Sequence, residues 1–188
     1  LKIAEVCKNV KEDFVSKLSD MHWHKKGVFF TEALAFVAMC KMHNINTIIE
    51  SGVRNGDSTE MWLKFFGDDI RLISVDLMQH KDDVNAAINR LAGYPNLEFK
   101  EGDGEKVVPQ IVQSLADDAR VGMLLDGPKD KLREWDNYVF CTDDQDFRNQ
   151  HVDVDSILGG DNNPEWIEYK NKYPIGCGLV FLENTLKE

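Results

Sequence analysis

The sequence predicts an α/β fold, a doubly wound parallel sheet with helices on both faces, and three observations predict it. From residue 45 onward, strand-like and helix-like segments alternate, the pattern of parallel strands joined by helical crossovers. Thr47-Ile-Ile-Glu50-Ser-Gly52-Val-Arg-Asn-Gly56-Asp-Ser-Thr-Glu60 reads as a buried strand, a glycine turn and the start of a helix. A later strand, Arg71-Leu-Ile-Ser-Val-Asp76, ends in a carboxylate. Strand, glycine turn and helix N-terminus in succession are how open α/β sheets hold nucleotides, which makes the fold Rossmann-like.

Two helices precede the alternation. Ile3, Val6, Val10, Phe14 and Leu18 recur at helical spacing over 2–20, and a second helix, about 31–43, carries Leu34, Ala35, Val37, Ala38 and Met42. Between them His22-Trp23-His24-Lys25-Lys26-Gly27 reads as a turn, with Trp23 packed and the histidines on the surface or in a lid. Strand 47–51 follows; Ile48 and Ile49 are β-branched and apolar, as a strand covered on both faces requires. Gly52 and Gly56 permit positive φ and close approach of the backbone to a ligand. Helix 57–66 has Asp57 placed to cap it and Glu60 three residues later, a capping-box pattern; its Trp62, Phe65 and Phe66 are expected in the core. Strand 70–76, helix 82–92, strand 97–100, helix 105–117 and strand 121–125 complete the alternation.

The next strand, 138–143, starts about a dozen residues after Asp126, which is what a whole parallel crossover needs for its helix and turns. Either this connection is unusually tight or the chain is joined across an absent segment near 134–137; the second is the expectation. Residues 144–170 read as polar and irregular, with Gly159 to Pro164 as a loop, and 173–183 as a turn into a last strand. The organisation is one domain over 1–188, with 1–44 as a helical cap and 45–188 as the core.

The 188 residues suffice for one domain with a real core. A formal charge of −11 disfavours nucleic acid and anionic membranes as partners, because both demand a basic face. It suits a cationic ligand such as a sulfonium. No apolar run approaches the ~20 residues that cross a bilayer, and no leader is visible. Cys7, Cys40, Cys141 and Cys177 lie far apart with no CxxC pair, so reduced, buried thiols and a cytoplasmic protein are expected.

Spacing separates the cofactor classes. A dinucleotide turn reads G-x-G-x-x-G, whereas this chain has Glu50-x-Gly52-x-x-x-Gly56, an acid and two glycines. Asp76, at the end of the second strand, is placed to accept from the hydroxyls of an adenosine ribose. These segments resemble motifs I and II of the class I S-adenosylmethionine-dependent methyltransferases. The resemblance is continuous from about Ile45 to Thr142, weaker over 173–184 and absent elsewhere. It implies that the last strand pairs antiparallel at the sheet edge. It also implies that the loop of Glu50, Gly52 and Gly56 holds the methionine portion and that Ser58 reaches its carboxylate. By the same resemblance Leu77 lies against adenine, and Asp103-Gly104, similar to the family's Gly-Asp-Ala segment, accepts from the adenine amine; Gly104 stands where alanine is usual.

Leu124-Leu125-Asp126-Gly127-Pro128-Lys129-Asp130 resembles the Asp-x-x-Lys-Asp segment of catechol O-methyltransferase and its metal-dependent relatives. That likeness implies Asp126 as a magnesium ligand and Lys129 as the base that deprotonates the acceptor, with Asp143 and Asp144 as further ligands, aspartate standing where the second is usually asparagine. The exchange keeps oxygen ligands and adds charge. The implied activity is O-methylation of a small hydroxylated acceptor with a divalent ion, and a related group with an Asp-Gly-Pro-Lys loop extends the acceptors to saccharides. Two other readings stand beside it: a non-catalytic module that binds S-adenosylmethionine, and an NAD-dependent oxidoreductase, against which the absent third glycine counts.

Overall fold

In a computed structural model the described residues are 2–23, 27–126, 140–143, 163–173 and 180–183. The elements run α1 (Lys2–Lys17), α2 (Phe30–Met42), β1 (Thr47–Ser51), α3 (Asp57–Phe66), β2 (Arg71–Asp76), α4 (Lys81–Leu91), β3 (Leu97–Glu101), α5 (Gly104–Ser114), β4 (Val121–Leu125), β5 (Phe140–Asp143), α6 (Pro164–Lys172) and β6 (Val180–Glu183). A single 3-10 turn, Gly67–Asp69, joins α3 to β2. The strands form one sheet in the order β3-β2-β1-β4-β5-β6, with β6 antiparallel to β5 and every other pair parallel. From β1 the chain winds outward to β3, then returns to β4 on the other side. The carboxyl ends of β1 and β4 thus flank a topological switch point, where such sheets leave a crevice.

Alternation along the central strands sorts their side chains onto two faces. Ile48, Leu72 and Leu124 join one core cluster, with α1, α2 and α3. Ile49, Ile73, Val75, Met123 and Leu125 join the other, with Val108, Ile111 and Val112 of α5. Both faces are covered, as near-continuous apolar strands require. The predicted burial of Trp62, Phe65 and Phe66 is observed. So is that of Cys7 and Cys40, whose thiols burial pushes up, to about 12 for Cys7 and well above the usual range for Cys40.

Helix α2 is more deeply embedded than its spacing suggested. Eleven consecutive residues, Phe30 to Cys40, are buried, so it is covered on all sides rather than amphipathic. An aromatic cluster closes over its start. Phe30 stacks on Tyr173, with ring centroids 4.5 Å apart and planes 11° from parallel. Trp23 meets Tyr173 edge-on at 5.5 Å, and Phe14 meets Phe30 at 5.4 Å. Lys11 of α1 adds a 2.6 Å ion pair to Glu165 of α6. Residues 163–173 therefore sit against the helical cap.

Two local readings are corrected. Part of 144–170 is helical: Asn163 Oδ1 accepts the Glu165 amide at 3.1 Å and Pro164 takes the first helical position. The Asn-Pro pair that read as a loop is an N-cap and N1, where proline loses no needed donor. Asp57 does not cap α3, nor does Glu60 complete a box; the cap is Gly56, at φ 74, with no side-chain hydrogen bond. Glu60 instead pairs with Lys64 and Arg90. The expected join near 134–137 lies outside the described residues. No helix among the described residues is long and apolar enough to cross a membrane.

Tyr173→Ala is expected to lower the unfolding free energy by about 3–5 kcal/mol, as aromatic truncations in cores do, and Tyr173→Phe by about 1 kcal/mol or less. Urea unfolding measures both; a negligible effect of the alanine would mean that the ring does not anchor residues 163–173 to the cap.

Candidate functional site

A cleft of about 500 Å³ opens at the switch point, within the range of small-molecule sites. Its floor is built from loops at the ends of β1, β2, β3 and β4. β1 and the start of α3 give Ser51 to Asn55, Asp57 and Ser58; β2 gives Asp76, Leu77, Gln79 and His80. The β3 end gives Asp103, Gly104 and Glu105, and β4 gives Leu124, Leu125 and Asp126. Of the residues singled out in the sequence, Gly52, Ser58, Asp76, Leu77, Asp103, Gly104 and Asp126 line this one cleft. Lys129 and Asp144 lie outside the described residues, and Asp143 is described only as backbone.

Glu50 and Gly56 are not among the lining. Glu50 shares the strand face of Ile48 and points into the core, where it is fully buried. Its carboxylate accepts from Thr59 Oγ1 at 2.6 Å, Trp62 Nε1 at 3.1 Å and Ser74 Oγ at 3.2 Å. Burial raises its pKa, opposed by hydrogen bonds from Ser58, Thr59, Trp62 and Ser74. Gly56 is buried behind the turn, and a Cβ there would come within 2.7 Å of Ala87 Cβ on α4. Both residues shape the cleft from outside it.

Asp76 organises the loops. Its Oδ2 accepts the amides of Val53 at 2.8 Å and Arg54 at 3.1 Å, and its Oδ1 accepts that of Met78 at 2.6 Å. Arg54 and Met78 both hold positive φ, 44° and 61°, a conformation that costs a non-glycine residue on the order of 1 kcal/mol and persists only where surroundings enforce it. The carboxylate supplies that enforcement on both sides. Gly52, at φ 100, brings the β1 loop so close to β4 that a Cβ would stand 3.0 Å from Asp126 Cβ. Asp103 caps α5, accepting the Glu105 amide at 3.1 Å, and pairs with Lys106 at 3.2 Å.

Gly104, where the resembling family carries alanine, has a local cause. A Cβ at 104 would run into the hydroxyl of Ser51 and lie 3.3 Å from its Cβ. The Ser51 side chain fills the space that a methyl would take.

Sequence reading missed the wall contributed by the cap. Gly27, Val28, Phe29 and Glu32 line the cleft, and buried Glu32 accepts the Phe29 amide through Oε2 at 2.9 Å. No local motif marks them, since only the packing of α2 brings them to the sheet. Among the described residues six carboxylates line the cleft (Glu32, Asp57, Asp76, Asp103, Glu105 and Asp126) beside the guanidinium of Arg54, a lining that favours a cation.

The raised pKa of Glu50 sets a sign for stability. The folded state holds this proton more tightly, so the stability it contributes is complete below about 4.5, its ordinary value, and is lost as pH rises through the higher folded value. The unfolding free energy of Glu50→Gln, minus that of wild type, is expected to rise as pH increases above about 4.5 in urea titrations; parallel curves would count against the raised pKa. Gly104→Ala is expected to cost about 1–3 kcal/mol through overpacking, and much less in a Ser51→Ala background. A double-mutant cycle reads the coupling, and additive effects would exclude it.

No protein-family model and no curated protein matches the chain; the likeness is to solved structures. An O-methyltransferase from Bacillus cereus, solved in complex with SAH, is 16% identical, with 89% of this chain and 76% of that one aligned at a TM-score of 0.53. The O-methyltransferase TomG from Streptomyces achromogenes, involved in tomaymycin synthesis and solved in complex with SAM, is 15% identical, with 87% and 70% aligned at 0.51. At such identities the likeness is one of architecture: the chain shares the α/β fold of these two O-methyltransferases.

Proposed function

We propose that the chain binds S-adenosylmethionine and transfers its methyl group to the oxygen of a small hydroxylated or saccharide acceptor, with the help of a divalent ion. The observation that carries the reading is the convergence of Ser58, Asp76, Leu77, Asp103, Gly104 and Asp126 on one cleft at the switch point. The two solved structures of similar architecture hold SAH and SAM, and the acidic lining suits a sulfonium.

In this reading Ser58 and the first-turn amides of α3 take the carboxylate of the methionine portion. Asp76 keeps lone-pair capacity on Oδ1 for a ribose hydroxyl, since a carboxylate offers about four acceptor positions and three are taken by amides. Leu77, at 55% exposure a conspicuously uncovered apolar side chain, is covered by adenine. Asp103 accepts from the adenine amine. The segment of Phe29 and Glu32 and the end of β4 bound the acceptor side.

The acceptor oxygen forms its bond to the methyl carbon as the sulfur–methyl bond breaks. The sulfur keeps the electron pair, S-adenosylhomocysteine is the product, and the hydroxyl proton passes to Lys129. Holding the two reactants in line supplies much of the rate. Among the described residues no three His, Cys, Asp or Glu side chains gather to hold a metal, so an ion on Asp126 needs Asp143 and Asp144. Backbone register supports this set: Asp126 follows β4 directly, and Asp143 at the end of β5 pairs with Leu125. Such an ion would lower the pKa of the acceptor hydroxyl.

Calorimetric titration with S-adenosylhomocysteine is the test. Micromolar binding is expected, weakened at least about tenfold, about 1.4 kcal/mol, in Asp76→Asn. Magnesium is expected to accelerate methyl transfer to hydroxylated acceptors in wild type and not in Asp126→Ala. Absence of any binding would overturn the cofactor assignment; turnover indifferent to magnesium would remove the ion and leave the rest.

A further inference from the structure

Helix α3 opens on two carboxylates of its own, Asp57 at its first position and Glu60 one turn later. Near a helix N-terminus such groups complement the dipole. Here they also stand beside Ser58, where the function proposed above seats the carboxylate of the methionine portion. Like charges at that distance oppose one another, so the turn that should attract an anion carries charges that repel it.

Helix α4 supplies a counter-charge that reaches both. Arg90 Nε donates to Glu60 Oε2 at 3.2 Å. Its Nη2 donates to the Asn55 carbonyl at 2.7 Å and lies 3.9 Å from Asp57 Oδ1. One guanidinium thereby engages both carboxylates and the turn between Gly52 and α3. Arg90 is not among the residues lining the cleft, so it acts from behind. Contact of Gly56 with Ala87, one helical turn before Arg90, joins α4 to the same turn by packing. Lys64 shares Glu60 at 3.2 Å and pairs with Asp20 at 3.0 Å.

We propose that Arg90 is a positioning residue for the amino-acid end of the cofactor: it neutralises Asp57 and Glu60 and fixes Asn55, so that α3 offers its terminus to an anion. A fixed planar fork serves this purpose better than a flexible ammonium, because it meets several acceptors in one geometry. The inference rests on the cofactor reading above.

The experiment compares two ligands on the full chain. S-adenosylhomocysteine carries the amino-acid tail, whereas 5′-methylthioadenosine has the same nucleoside and thioether without it. Arg90→Gln is expected to weaken the first at least about tenfold and the second less than about twofold, with the gap narrowing as salt rises. Adding Asp57→Asn and Glu60→Gln to Arg90→Gln is expected to restore the affinity for S-adenosylhomocysteine, and it does so without rebuilding the guanidinium contacts. Equal losses for both ligands would reduce Arg90 to a support of the turn, and unchanged affinities would remove it altogether; either overturns the proposal. Failure of wild type to bind either ligand would instead withdraw the cofactor reading, and this inference with it.

Discussion

A buried carboxylate holds the working end of this molecule together. Glu50 receives donors from two neighbouring elements, Ser58, Thr59 and Trp62 on α3 and Ser74 on β2, while itself belonging to β1. An acceptor-only group is the right partner for an indole N–H and hydroxyls. Charge-assisted hydrogen bonds contribute about 1.5–3 kcal/mol each, but desolvating a carboxylate costs several. The raised pKa of Glu50 says that burial outweighs the donors in setting its proton affinity. Net stability is therefore a poor account of the group. Its better-supported role is geometric: with Trp62 also packed against Phe36 of α2 at 4.6 Å, the start of α3 is fixed to the sheet at the floor of the cleft.

What the sequence made legible was whatever had a local cause. Ile48 and Ile49 announced a strand buried on both faces, and Gly52 and Gly56 announced a turn through the positive φ that both of them occupy. Asp76, Asp103 and Asp126 were found because each stands at or just after the end of a strand, and the topology sends those strand ends to one place. The direction of Glu50 was within reach too, since it shares the parity of Ile48 rather than of Ser51. By contrast Glu32 and Arg90 carry no motif. Their relation to the cleft comes from α2 and α4 arriving against the sheet, which is tertiary. Helix α6 was hidden for a different reason: Asn163-Pro164 is a stop signal in one context and a start signal in another.

The cleft combines two kinds of support. On the sheet side, loops are clamped by side-chain acceptors, with Asp76 holding Arg54 and Met78 in conformations they would not adopt alone. On the cap side the wall rests on packing, because Phe29 and Glu32 are carried by a helix with eleven buried residues in succession. A clamped sheet side and a wall of separate origin is an arrangement in which one half can stay constant while the other is re-cut.

The aromatic cluster has a consequence in time. Trp23 and Phe30 are made before the ring that covers them: Tyr173 is translated roughly 140 residues after Phe30, which at about 5–20 residues per second means about 7–30 s. Through that interval the start of the most apolar helix lacks its cover. A nascent chain thus leaves this apolar helix start open to other chains or to a chaperone while the sheet that will bury it is still being synthesised, and the speed of translation becomes a determinant of yield.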